Sequence, residues 1–182
     1  ALGIKRMKKQ AGGVAFESNW EMAYLVHLKV RSITRVLLPV LDFSAYDGEG
    51  LYHHILKHDF TKYIKPNQTL AVYSKVQDSS MRDQRFVSLK VKDAIVDQFR
   101  DKFGIRPDVD KDNADLQVHV RVKKNLVSVA IDLTGECLSN RGYRQETGEA
   151  PLREHIAASL IKLSGWTPDV PLMDPMCGSG TM

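Results

Sequence analysis

The sequence predicts an α+β protein, because strand and helix patterns follow one another along its 182 residues. Three segments support this class most strongly. An apolar, β-branched run at 70–76 predicts a strand, and apolar residues recur at helical spacing from about 83 to 103. Strict apolar–polar alternation over 116–123, followed after Asn125 by a second apolar run over 126–133, predicts a β-hairpin.

Shorter elements precede these three. We predict a strand at 14–17, a helix from about 20 to 30 with Ser18 or Asn19 at its N-cap, a strand at 32–40 and a helix at 51–58. The first helix has an apolar face that we expect to be packed, with residues Trp20, Ala23, Tyr24, His27 and Leu28. The order strand, helix, strand, helix indicates part of a small α+β domain.

The C-terminal third begins with a charged, glycine-containing connection at 134–150. Pro151 suits the first turn of a helix predicted at 152–163, and Gly165 ends it. The apolar run Val170 to Met173 then predicts a buried strand. Asp174 ends that run, and Gly178 and Gly180 bracket a serine in a tight turn. An acidic residue and a Gly-x-Gly turn after a strand are typical of nucleotide sites in α/β proteins, although a bare Gly-x-Gly is equally typical of an ordinary turn.

Composition excludes two classes of protein. No apolar run approaches the roughly 20 residues of a membrane span, and two distant cysteines form neither a disulfide framework nor a metal motif. We therefore expect a reduced, cytoplasmic setting. The net charge of +4 is mild, but it is unevenly distributed: 108–115 holds four aspartates against one lysine. His54 and His58 have metal-like spacing, yet without a third ligand we interpret them as surface histidines and predict no metal.

Several motifs together resemble the THUMP-domain methyltransferases, most closely the bacterial large-subunit ribosomal RNA guanine methyltransferases. They are the stretch 89–97, the Asp-Leu-Thr-Gly of 132–135 followed by 141–144, the segment 150–158, and the string Asp-Pro-Met-Cys-Gly-Ser-Gly-Thr at 174–181. The resemblance extends from about Gly12 to Thr181. It implies a partial ferredoxin-like domain at 1–65, a THUMP RNA-binding domain at 66–145, and a connector helix with the first strand and loop of a Rossmann-like methyltransferase domain at 146–182.

The same resemblance implies S-adenosylmethionine as cofactor and methylation of a guanine exocyclic amine. The positions that match the family's cofactor loop are Asp174, Pro175, Cys177, Gly178, Ser179 and Gly180. The family's second motif, Asn/Asp-Pro-Pro-aromatic, has no counterpart in this sequence. We therefore predict no catalytic residue, expect the cofactor site to be incomplete, and expect the chain to be an inactive fragment of a longer enzyme.

Structured RNA is the partner that the resemblance implies, and RNA phosphates require lysine or arginine on one surface. The candidates are Arg82, Arg85, Lys90, Lys92, Lys123, Lys124, Arg141 and Arg144. Each of them taken alone is more simply a solvated charge. Tyr143, beside two arginines, suits either base stacking or packing. Two alternatives stay open: a stand-alone RNA-binding module without catalysis, and a methyltransferase that acts on tRNA or on adenine in DNA.

Overall fold

The computed structural model describes residues 2–4, 6–10, 12–142, 152–178 and 180, and it confirms the α+β class. In chain order the elements are β1 (Met7–Gln10), β2 (Gly13–Phe16), α1 (Trp20–Lys29), β3 (Leu37–Ser44), α2 (Gly48–Leu56), a 3-10 helix (Phe60–Lys62), β4 (Thr69–Gln77), α3 (Gln84–Phe103), β5 (Asp108–Val109), β6 (Leu116–Lys123), β7 (Leu126–Asp132) and α4 (Glu154–Ser164). They form two compact units. The sheet unit is Leu37–Gly135, and the flanking unit is Ala1–Val36 with Glu136–Met182.

The sheet unit is built on a five-stranded mixed sheet with the order β3-β7-β6-β4-β5. β4 pairs in parallel with β6 and β5, whereas β7 pairs antiparallel with β6 and β3. The parallel pair β4–β6 requires a long connection, which α3 provides. Residue 65, where we predict a domain boundary, lies within this unit.

The long helix α3 begins and ends where its sequence indicates. Asp83 is its N-cap, and the carboxylate of Asp83 accepts a hydrogen bond of 2.8 Å from the backbone N–H of Arg85. Gly104 ends the helix in the left-handed conformation, with a φ of 69°, and its N–H donates to the carbonyl of Arg100. The predicted helix of about 83–103 is therefore confirmed.

One face of the sheet carries the core. The buried residues of β6 are Leu116, Val118, Val120 and Val122, which alternate with polar residues. They form one cluster with side chains of α2 and α3, among them Leu51, Ile55, Val91, Ile95 and Phe99. Because successive residues of a strand point to opposite faces, the polar residues of β6 lie on the face away from α2 and α3.

The flanking unit contains the β1–β2 hairpin, α1 and α4. In α1 the buried residue is Val26, and Trp20, Tyr24 and Leu28 are exposed, so the predicted packing of these three was wrong. His27 on the same face is part-buried with a buried Nε2 atom, as expected of a packed histidine. Helix α1 has apolar side chains on two sides. The periodicity alone does not show which side packs.

Two predicted strands also differ from the structure. The strand predicted at 32–40 is found at Leu37–Ser44, because its ladder partner is β7 and the register with β7 sets its limits. The run Val170 to Met173 is not a strand. A strand needs a neighbour to complete its hydrogen-bond ladder, and among the described residues none pairs with this run. None of the helices in the described ranges has the length and apolar character needed to cross a membrane.

Candidate nucleic-acid interface

The tip of the sheet unit, residues 77–82 and 123–126, combines unusual backbone geometry with exposed cations. Lys124 and Asn125 join β6 to β7 with φ angles of 50° and 62°. Positive φ at both central residues is characteristic of a type I′ hairpin turn. Asp78, directly after β4, has a φ of 52°. Residues other than glycine rarely adopt such angles, and such outliers cluster at functional sites.

Asn125 holds the tip together. Its side-chain oxygen accepts hydrogen bonds from the hydroxyl of Ser79 (2.8 Å) and from the backbone N–H of Ser80 (2.9 Å). Its backbone carbonyl accepts from the N–H of Ala45, and the N–H of Lys124 donates to the carbonyl of Gln77. The hairpin turn, the end of β4 and the loop before α3 are therefore joined at one place.

Four of the predicted RNA-binding residues meet at or beside this tip. Lys123 and Lys124 lie at the hairpin turn, Arg82 lies in the loop before α3, and Arg85 lies in the first turn of α3. All four are exposed, and none of them forms an ion pair within the described part of the chain. An open depression of about 630 Å³ is lined by Val76, Asp78, Ser79, Ser80 and Arg82.

Lys90 and Lys92 do not share one surface. Two positions along a helix are about 200° apart, so the two side chains leave opposite flanks of α3. The Lys90 ammonium lies 5.9 Å from the centre of the Phe86 ring, on the flank facing α2. Lys92 is paired with the carboxylate of Asp93 at 2.7 Å. Their role in RNA binding stays a prediction, but the structure gives each of them a local partner.

Arg141 has a structural environment that the sequence did not indicate. Its guanidinium donates to the backbone carbonyls of Leu138 (2.8 Å), His27 (2.8 Å) and Val30 (3.0 Å). These last two carbonyls are at the C-terminal end of α1, where helix carbonyls lack partners within the helix. The backbone N–H of Arg141 donates to the Glu154 carboxylate at 2.6 Å. Arg144 and Tyr143 lie outside the described residues.

Two cations near the tip were missed by the sequence reasoning. Lys75 on β4 and Arg121 on β6 are register partners and are exposed on the sheet face opposite α2 and α3. The alternation of β6 could have identified Arg121, since it shares the polar face with Lys123. The pairing of β4 with β6, which brings Lys75 beside Arg121, is long-range and has no local signal.

The acidic segment lies at the other end of the same strands. Asp115 accepts hydrogen bonds from the N–H (2.8 Å) and the hydroxyl (3.0 Å) of Thr69, the first residue of β4, and these bonds lower the pKa of the carboxyl. The nine residues of β4 separate this end from Gln77 by roughly 26 Å. That is about three Debye lengths at physiological salt. Asp115 is therefore too far away to neutralise the tip.

The candidate cofactor loop forms turns in the flanking unit. The Asp174 carboxylate accepts from the N–H of Met176 (2.9 Å), and the N–H of Gly180 donates to the carbonyl of Cys177 (2.9 Å). Gly178 and Gly180 have φ angles of 55° and 72°, with open space where a Cβ would lie, so a ligand can approach the backbone there. These features fit the methionine part of the expected cofactor. Pro175 is exposed beside them, and Ser179 lies outside the described residues.

Two family models match this chain. Residues 45–132 match the THUMP domain, and residues 141–182 match the RMKL-like methyltransferase domain. The class is thus an α+β protein with a match to the THUMP domain inside the sheet unit, followed along the chain by a match to part of a methyltransferase domain.

Individual relatives agree with this class. A protein of Synechocystis sp., named "putative RNA methyltransferase", is 39% identical over 180 residues, which is 99% of this chain and 47% of that protein. A crystal structure from Listeria monocytogenes, described as a predicted N6-adenine-specific DNA methylase, is 30% identical with a TM-score of 0.86, over 99% of this chain and 47% of that chain. SMU.472, a putative methyltransferase crystallised with SAH, is 31% identical with a TM-score of 0.86, over 99% of this chain and 48% of that one. The chain therefore spans about half the length of the relatives it matches.

Proposed function

We propose that this chain is the RNA-binding part of an S-adenosylmethionine-dependent methyltransferase that modifies an exocyclic guanine amine in large-subunit ribosomal RNA. The proposed order along the chain is a partial ferredoxin-like segment, the THUMP domain, and the start of the methyltransferase domain. One observation carries the RNA-binding role: the tip presents Arg82, Arg85, Lys123 and Lys124 on the unit that matches the THUMP domain.

The tip suits the phosphate backbone of folded RNA. A-form RNA is recognised mainly through its shape, phosphates and 2′-hydroxyls. Exposed cations on a rigid support provide the phosphate contacts, and the hydrogen bonds of Asn125 provide the support. We leave Arg141 out of this surface, because three backbone carbonyls already accept from its guanidinium.

In the proposed enzyme, S-adenosylmethionine supplies the methyl group when it is bound. Gly178 and Gly180 would leave room for the methionine part, while Asp174 and Cys177 would shape the loop around them. We assign no catalytic residue to this chain. We propose a cytoplasmic location because Cys137 and Cys177 are both free thiols.

The second candidate is a methyltransferase that acts on adenine in DNA, since one relative has a description of that kind. We favour RNA because of the match to the THUMP domain, and this preference rests on analogy. A stand-alone RNA-binding module is the candidate from another class. The match of residues 141–182 to a methyltransferase domain argues against that module.

Fluorescence anisotropy of a labelled rRNA hairpin, titrated with the 182-residue chain at several salt concentrations, tests the proposal. Four phosphate contacts would reduce the affinity by about 100-fold between 50 and 200 mM salt. Duplex DNA of the same sequence should bind more weakly. RNA that does not bind at 50 mM salt, or DNA that binds better, would overturn the RNA-binding role.

A matched pair of variants locates the surface. The test variant carries Arg82→Gln, Lys123→Gln and Lys124→Gln. The control loses the same charge at exposed positions outside the tip, through Lys57→Gln, Lys65→Gln and Arg106→Gln. The test variant should lower the salt slope by about 2 to 3, and the control should retain the slope. Equal losses in both variants would mean that binding follows net charge and not the tip.

A further inference from the structure

The sheet unit has an open face that extends beyond the tip. α2 and α3 pack on one face of the sheet, and within the described part of this unit no helix covers the other. Lys75, Arg121 and Lys123 lie on this open face near the ends of β4 and β6, and all three are exposed. Lys123 is followed in the chain by Lys124, so the open face is continuous with the tip.

Strand register places Lys75 directly beside Arg121. Neighbouring strands are about 4.8 Å apart, so the two cationic side chains project from adjacent backbone positions on the same face. Like charges directly opposite each other on a sheet are destabilising. The same row of register partners continues through Ser128 on β7 to Asp42 on β3. Asp42 carries the carboxylate of this row, and its backbone lies two strands, or roughly 10 Å, from that of Arg121.

Asp132, another carboxylate on the same side of β7 as Ser128, does not relieve this repulsion. Asp132 has a fully buried side chain, and its carboxylate lies 3.2 Å from the Nε2 atom of His119. This carboxylate therefore interacts with His119 and not with Lys75 or Arg121. His119 also stacks with Tyr73 at 5.3 Å between ring centres, and the Tyr73 hydroxyl donates to the carbonyl of Lys111 at 2.5 Å. The two rings are anchored to the protein. The open face therefore offers cations to a ligand rather than free aromatic surfaces.

We propose that Lys75 and Arg121, with Lys123, form a phosphate-binding strip on the open sheet face that continues the RNA surface of the tip. The proposal rests on the proposed RNA-binding function and adds a second contact region to it. The occupant is the RNA phosphodiester backbone, because a phosphate between Lys75 and Arg121 removes their mutual repulsion. Asp42 repels phosphates at the opposite side of the row, and this keeps the RNA over β4 and β6.

The test uses the double variant Lys75→Gln, Arg121→Gln in the 182-residue chain, with the same labelled rRNA hairpin. The salt slope should fall by about 1.4 to 1.8, one phosphate contact for each cation. The melting temperature of the free protein should stay the same or rise, because the like-charge pair is removed. Asp42→Asn should leave RNA binding unchanged or strengthen it, the opposite direction from the double variant.

The outcomes separate this strip from the tip. If the double variant binds RNA with the wild-type slope while the tip variant is weakened, the strip is refuted and the proposed function stands. If wild-type protein does not bind RNA, both proposals fail. A polyglutamate peptide serves as a second probe: should the double variant lose binding to that peptide but not to RNA, the occupant is an acidic protein and the strip proposal is overturned.

Discussion

Replacing Lys124 by glycine should stabilise the sheet unit and weaken RNA binding at the same time. Lys124 has a φ of 50°, a conformation that costs a residue with a Cβ about 1–2 kcal/mol. Glycine removes this strain but adds about 0.5–1 kcal/mol of conformational entropy to the unfolded chain. The net effect is a stabilisation of about 0.5–1 kcal/mol.

This change is measurable by thermal unfolding. For a unit of about 100 residues, 1 kcal/mol shifts the melting temperature by about 4–8 °C. Lys124→Gly should therefore raise the melting temperature of the free protein by about 2–8 °C. Circular dichroism measures this change. Lys124→Asn should act in the same direction, because asparagine tolerates the left-handed region without the flexibility of glycine.

RNA binding should change in the opposite sense. One lost phosphate contact lowers the salt slope by about 0.7–0.9, which weakens binding by about tenfold at 50 mM salt and about fourfold at 200 mM. Lys65→Gln is the charge control, because Lys65 is exposed and precedes β4 at the end away from the tip. Its slope should match that of the wild type.

Two results would refute this reasoning. A lower melting temperature for Lys124→Gly would show that the turn is not strained by lysine. An unchanged salt slope would show that Lys124 does not contact phosphate. If both expectations hold, a destabilising residue at the turn is explained by the charge that it presents to RNA.

Three further predictions concern the folded state. Arg141→Lys should destabilise the flanking unit by about 2 kcal/mol, because an ammonium cannot reach three carbonyls; hydrogen exchange should quicken at the end of α1 while RNA binding is retained. Gln98→Glu should destabilise the sheet unit by about 2 kcal/mol in urea titrations, and by more than Gln98→Met, because its amide donates to the carbonyls of Ile55 and His58. Burial lowers the pKa of His58 below its ordinary 6.5, so as the pH falls the unfolded chain binds a proton at His58 before the folded chain does. The free energy of unfolding should therefore fall as pH decreases from 7.5 through 6.5. His58→Phe should flatten this pH dependence in denaturation curves.

Local signals in the sequence were sufficient for several elements. Helical periodicity and a terminal glycine predicted α3 to within about a residue. Alternation predicted the β6–β7 hairpin, and Asn125 marked its turn. Glycine chemistry predicted the positive φ angles of the loop at 174–180. These features depend on residues close together in the chain, so a single sequence contains them.

Other features depend on partners that are distant in the sequence. The buried side of α1, the limits of β3 and the failure of 170–173 to form a strand each follow from which surface packs or pairs with which. The structural role of Arg141 arises from contacts with residues more than 100 positions away.

The candidate site shows the same division. The sequence by itself determined the α+β class, the main helix and hairpin, and the presence of cations at 82–85 and 123–124. The tertiary structure decided that these two groups meet at one tip, that Lys90 and Lys92 leave opposite flanks of a helix, and that Lys75 stands beside Arg121. The physical reason is that strand register and helix packing are set by the burial of a shared core, which joins residues that no local pattern connects.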